Sequence, residues 1–370
     1  MTADPLNAVI TWIDPAPSLA GPLAGRRLIV KDLIDTAGVR TTYGSKIFAE
    51  HVPEHTAPAV ERLVAAGASL IGKANLHEFA WGVTSQNPWY GTVANPAHPG
   101  RTAGGSSGGN AAALAANMCD LGLGTDTGCS VRLPAACCGV VGLKTSYGSI
   151  PTTGVFSLCR SLDTVGPMAR TVREVAEAWS ALAGRPVPEP RLAGTTIGLL
   201  RQAPSVGDGQ FEPASDLGEA SVERLHRLGA RVRESQIPEP ESNTWPIFFH
   251  EAAESHRGLY PQRADEYGDN VRAKLEQAQH VSPDDVATAE RALRGWRRYE
   301  PEVDLYVSPC VAIDLPPEDC DELEVRIGLA AFLRWVNLIG WAALAIGNLQ
   351  FIAPSDEVVL AAGLAWERGD

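Results

Sequence analysis

Three polar residues in this 370-residue sequence stand where side chains of their type can do covalent chemistry. They are Lys31 in the apolar run RLIVKD, Ser106 inside GGSSGG (104–109) and Ser130 closing GTDTGCS (124–130). A serine in a tight, glycine-flanked turn has backbone N–H groups that can aim at one oxygen of a bound carbonyl and stabilise an oxyanion. A serine nucleophile also needs a base. Histidine is the usual one, but no motif places His77 or His98, the histidines nearby in the sequence. Lysine serves if burial keeps it neutral, because desolvation disfavours the charged form. The apolar strand that holds Lys31 would carry it inward. Spacing alone does not pair it with either serine.

Other chemistries explain the glycine-rich segment less well. A glycine-rich loop ahead of a helix suggests phosphate binding, but neither GxxxxGK[ST] nor GxGxxG is present. A mere tight turn would account for GGSSGG, yet not for the second sharp turn at GTDTGCS. The seven cysteines are an odd number without CxxC spacing, and Cys137 and Cys138 lie in an apolar run, so buried free thiols are expected. Eight histidines without HExxH spacing imply no metal site. A net charge of -13 argues against nucleic-acid and anionic-membrane partners, which select clustered Lys and Arg. No signal peptide is evident at the N-terminus. The apolar run 327–346 is interrupted by Arg334 and Asn337, so a buried helix followed by a core strand is expected there rather than a membrane span. These features read as a cytoplasmic protein.

The elements that must position the three residues follow from periodicity. RRLIVKD (26–32) reads as a strand, TAPAVERLVAAGA (56–68) as a helix with a threonine cap, and SLIGKAN (69–75) as the next strand. NAAALAANM predicts a small-residue helix that packs closely, and DLGLGTD a strand after it. Further strands are expected in 191–200, 304–313 and 348–354, with a helix–strand pair in ASDLGEASVERLHRLGARVRES. The alternation implies an α/β fold, a mixed β-sheet core flanked by helices on both faces. The reading is of one domain over 1–370, with its core in 26–235 and 301–370. A polar helical insert at about 240–300 would form a small cap.

The blocks KDLIDTAG, GRTAGGSSGGNAAALAA, GLGTDTGCSVRLPAACCGVVGLKTSYG and SLDTVGPMART, with others between Leu28 and Thr171, resemble the amidase signature family of Ser-Ser-Lys amide hydrolases. The resemblance implies that Lys31 is the base, Ser106 the bridging serine after a cis peptide bond, and Ser130 the nucleophile. It further implies that the backbone N–H groups of Thr127, Gly128, Cys129 and Ser130 hold the oxyanion. Catalysis by this route uses no cofactor. Ser107 supports the relay or the loop, Asp126 and Arg132 brace the turn, and Lys73 and Lys144 are structural.

The pattern departs from the family at Cys129, where glycine is usual, and in the C-terminal segment NLIGWAALAIGNLQFIAP, which lacks Gly-x-Pro and a glycine-rich hairpin. A side chain at 129 requires negative φ. The resemblance implies a tyrosine-rich segment near 240–260 in glutamine-dependent relatives, and this chain has TWPIFFHEAAESHRGLY there instead. The expected activity is therefore that of a stand-alone amidase on a small carboxamide or acylurea-like substrate. Two alternatives stay open: an amidotransferase-like subunit working with a partner, and a non-catalytic scaffold. A homodimer also stays open. Pocket walls are expected from 80–90, 151–160, the insert and the C-terminal segment. Phe79, Trp81, Trp89, Phe156 and Trp245 either line that pocket or pack as core.

Overall fold

The computed structural model describes residues 4–16, 18–204, 217–237 and 242–369. Its strands are β1 (Val9–Trp12), β2 (Arg27–Lys31), β3 (Ser69–Ala74), β4 (Leu121–Asp126), β5 (Val141–Lys144), β6 (Thr164–Ala169), β7 (Thr196–Leu199), β8 (Arg231–Glu234), β9 (Leu305–Pro309), β10 (Ala342–Ile346) and β11 (Leu349–Ala353). They form one 11-stranded sheet in the order β1-β3-β2-β4-β6-β5-β10-β11-β9-β7-β8. Pairing is parallel for β3-β2-β4 and for β9-β7-β8, and antiparallel elsewhere, so the sheet is mixed as expected.

The helices are α1 (Pro58–Ala65), α2 (Gly108–Ala115), α3 (Arg132–Cys138), α4 (Val172–Ala183), α5 (Gly218–Arg227), α6 (Trp245–Ser255), α7 (Asp269–Ala278), α8 (Pro283–Trp296), α9 (Glu322–Ala330), α10 (Arg334–Ile339) and α11 (Asp356–Arg368). Alternation along β2 shows how both faces are covered. Leu28 and Val30 pack into the cluster that contains residues of α1, α4 and α11, and Ile29 into the cluster that contains residues of α2 and α3. Each such side chain contributes about 1.5–3 kcal/mol relative to exposure. Alternation therefore sends Lys31 to the same side as Ile29, and Asp32 away from it.

Helix α2 lies close to the sheet because both surfaces are small. A Cβ at Gly124 would stand 2.9 Å from Ser107 Oγ. Helices α6, α7 and α8 cover a third cluster, which includes Trp335, Val336 and Ile339 of α10. No strand occurs between residues 242 and 300, the stretch that holds α6, α7 and α8. The first residues of the expected insert, 240–241, lie outside those described, as do 205–216 and 238–239 of the regions read from sequence. The run 327–346 divides into the end of α9, then α10 and β10. Among the described residues no helix is long and apolar enough to cross a membrane.

Two sequence readings need correction. Thr56 does not cap α1: Ala57 is the N-cap, Pro58 opens the helix, and Thr56 Oγ1 accepts from Ala37 N instead. Proline at the first helical position removes one donor that a cap would otherwise satisfy. Strands β1, β5 and β6 and helices α3, α4 and α11 stand beyond those expected from periodicity. Of these, α4 carries a legible start, with Thr171 and Glu174 forming a reciprocal capping box.

Candidate active site

Lys31 ends β2 with no solvent exposure, and its Nζ lies 2.7 Å from Ser106 Oγ and 2.8 Å from Thr125 Oγ1. Burial pulls its pKa down to about 7, against the opposing pull of the Asp126 and Asp163 charges. Its sequence neighbour Asp32 turns the other way, accepts from Thr42 N and Oγ1, and pairs with Lys73 Nζ at 3.6 Å. Thr125 was missed by the sequence reading. It lies in the strand before the second turn, but its partner is 94 residues away.

The peptide bond Gly105–Ser106 is cis. Gly104 has φ +72°, and a Cβ on Gly105 would come within 2.8 Å of the Val83–Thr84 backbone, so both positions require glycine. Ser106 is fully buried, and its carbonyl accepts from His77 N. The two glycine-flanked turns are joined directly, Ser107 N donating to Ser130 O at 3.1 Å. Among the described residues Ser107 Oγ donates to Thr125 O, at 3.4 Å. Thr127, Gly128, Cys129 and Ser130 lie together on the wall of one cavity. Cys129 is not among the positive-φ residues, so the geometry its side chain requires is met, and its thiol lies 3.7 Å from Gly105 O. Burial pushes that thiol up to about 12, which leaves it protonated and unreactive.

Asp126 and Arg132 hold this turn, with a buried ion pair of 3.0 Å. Asp126 also accepts from Val131 N and Asn337 Nδ2, while Arg132 donates to Gly128 O, Asn337 Oδ1, Leu333 O and Gln350 Oε1. Burial would raise the Asp126 carboxyl, but the Arg132 charge and hydrogen bonds overcome it and hold the group down to about 2. Removing the guanidinium would strand that carboxylate. Arg132→Leu should therefore cost about 3–5 kcal/mol of folding stability, measured by urea denaturation. A loss below about 1 kcal/mol would show that the pair does not brace the fold.

The remaining candidates separate from the serines. Lys73 Nζ donates to Ile34 O and Thr41 Oγ1, and Lys144 Nζ to Thr145 O and Trp341 O. Both are buried, and none of these contacts is to Ser106 or Ser130. His77 is buried against Asn270, and burial pulls it down to about 4; His98 is exposed. Of the five aromatic candidates, Trp81 and Trp245 line the cavity, together with Leu158, Phe248, Pro204 and Arg334. Phe79 and Phe156 instead pack against each other, tilted by 39° with ring centres 5.0 Å apart, and Trp89 Nε1 donates to Glu78. The Arg334 guanidinium carbon lies 3.2 Å from the Trp245 ring centre. Lys274 and Glu322, also on the wall, form a buried 2.7 Å ion pair that links α7 to α9.

A family model described as Amidase matches residues 14–350. Among curated proteins, the chain is 42% identical over 254 residues to the A subunit of glutamyl-tRNA(Gln) amidotransferase from Natronomonas pharaonis, covering 64% of this chain and 59% of that protein. It is 43% identical over 234 residues to the protein of the same name from Thermosynechococcus vestitus, covering 59% of this chain and 48% of the relative. The chain thus spans about half the length of the curated relatives it matches. Among solved structures, one described as an amidase superposes with a TM-score of 0.80 at 31% identity, covering 94% of this chain and 84% of that one. A 6-aminohexanoate cyclic dimer hydrolase gives a TM-score of 0.83 at 24% identity, over 98% and 90% of the two chains, a likeness of fold alone.

Proposed function

The chain belongs to the amidase family, and on that premise we propose that it cleaves the C–N bond of a carboxamide through an acyl-enzyme on Ser130. The observation that carries this reading is Lys31, a buried lysine with no carboxylate partner among the described residues, 2.7 Å from Ser106 Oγ. Thr125 Oγ1 takes one N–H of the neutral amine, which leaves its lone pair for Ser106. Ser106 passes its proton to Lys31 Nζ as it takes the proton of Ser130, and Ser130 Oγ bonds to the amide carbon. The backbone N–H groups of Thr127, Gly128, Cys129 and Ser130 stabilise the negative oxygen. The relay then returns a proton to the leaving nitrogen, the C–N bond breaks, and water releases the acid from Ser130. No step calls on a cofactor.

For the substrate, the mostly apolar wall supports a small carboxamide or acylurea-like compound, hydrolysed in the cytoplasm with release of ammonia or an amine. The names of the curated relatives favour a second reading: a subunit that takes the amide nitrogen of glutamine and passes ammonia to a partner. Both readings share the first half-reaction. Assaying ammonia release from aliphatic, aromatic and ureido amides and from glutamine separates them. Turnover of simple amides by the chain alone supports the first. Glutamine turnover that appears only with a co-purified partner supports the second. No ammonia from any amide, together with no labelling of Ser130 by a fluorophosphonate, would leave only a non-catalytic scaffold.

A further inference from the structure

The turn at 126–130 is held on a second side, by contacts unrelated to the Asp126–Arg132 pair. Thr127 Oγ1 donates to Asp163 Oδ1 at 2.6 Å, and both residues are buried. The same carboxylate gathers the loop at 157–159, accepting from Ser157 Oγ at 2.8 Å, Leu158 N at 3.1 Å and Cys159 N at 3.2 Å. The far side of that loop meets a second carboxylate, which belongs to the cap. Glu251, on α6, accepts from Ser161 Oγ at 2.6 Å, Ser161 N at 2.8 Å and Cys159 Sγ at 3.1 Å. From the end of α8, Arg297 adds a 2.8 Å bond to Ser161 O.

These contacts form an unbroken chain from the cap to the candidate oxyanion turn. It borders the cavity at three places: Thr127, Leu158 inside the clamped loop, and Phe248, one helical turn before Glu251, all line it. A group that fills the cavity presses on α6 and on this loop together. We propose that Glu251 and Asp163 are positioning residues that carry the seating of the helical cap over the cavity into the geometry of the 126–130 turn. The inference rests on the amide-cleaving reading above, because only then does the Thr127 N–H have a developing charge to meet. Carboxylates suit the task, since each one accepts several donors at once and so fixes a loop that has no regular structure.

The test uses the rate at which a fluorophosphonate modifies Ser130, resolved into a maximal rate kinact and an affinity KI. That reaction also builds negative charge at the oxyanion site, and it proceeds whatever the natural substrate is. Glu251→Ala should lower kinact about tenfold with KI within about twofold. Thr127→Val should do the same, and Thr127→Ser, which keeps the hydroxyl, should stay within about twofold of wild type. Because both losses pass through one contact chain, the double variant Glu251→Ala/Thr127→Val should lose no more than about threefold beyond either single change. A purely structural glutamate would lower the melting temperature and leave kinact of the folded protein unchanged, which would overturn the proposal. Losses that multiply to about a hundredfold in the double variant would overturn it as well. If Glu251→Ala does not fold, Glu251→Gln replaces it with about a threefold loss; its double variant with Thr127→Val should then lose about tenfold, as Thr127→Val does alone, and a loss of about thirtyfold would overturn the proposal. A wild-type protein whose Ser130 takes no label and that releases no ammonia from any amide, alone or with a co-purified partner, removes the amide-cleaving reading and the coupling with it. A labelled wild type with additive losses removes the coupling alone.

Discussion

Ser130→Ala should lower amide turnover by at least about 10⁴-fold while the protein folds as before. Ser130 Oγ is the one atom of the chain that forms a bond to carbon in the proposed sequence. The adjacent Cys129 is the nearest alternative, but burial holds its thiol protonated, up to about 12, with its sulfur toward Gly105 O. Folding should be spared because Ser130 O, not Oγ, makes the contact with Ser107 N. The check is kcat of the purified variant beside its thermal melting curve. A variant that melts like wild type and keeps more than a few per cent of kcat would move the nucleophile elsewhere.

The second large effect belongs to Lys31, and its sign follows from which protonation state works. Burial pulls the pKa down to about 7, so the group is charged below that value and neutral above it. Only the neutral amine accepts a proton from Ser106. kcat/KM should therefore fall as pH drops below about 7, and rise to a plateau in the mildly alkaline range. Lys31→Arg keeps a positive charge at every usable pH and should be inactive throughout, by about 10³-fold or more. A lysine that served only as a buried cation would tolerate arginine far better. An arginine variant with substantial activity would leave the base unassigned. It would not restore His98, which is exposed, or His77, which faces Asn270.

What the sequence made legible follows the range of the contacts. The inward course of Lys31 could be read because it depends on five residues of one strand. The glycines around Ser106 and Ser130 could be read because tight turns demand them locally. The mixed sheet followed from alternating apolar runs, although short strands such as VITW (9–12) carry too few residues for a period to register. Thr125, Asp163 and Glu251 left no local signal. A buried threonine or carboxylate looks like any other until its partner arrives, and Glu251 lies 90 residues from Ser161. The aromatic candidates divided for the same reason. Phe79 and Phe156 meet each other rather than the cavity, across an interval that no periodicity spans.

Arg132 closes its hydrogen bonds on Leu333 O, Asn337 and Gln350, more than two hundred residues later in the chain. Strand β5 likewise finds one of its two neighbours only in β10. During synthesis, Lys31, Ser106 and Ser130 are all present long before either partner has been made. A nascent chain that ends near residue 320 would hold the three side chains beside a loosely held turn and an open sheet edge, a surface prone to pairing with other chains. Reactivity should therefore switch on late and abruptly, when the last strands dock. On the reading proposed above, amide cleavage would wait for those strands, and the unfinished chain would meanwhile carry an exposed edge that invites pairing.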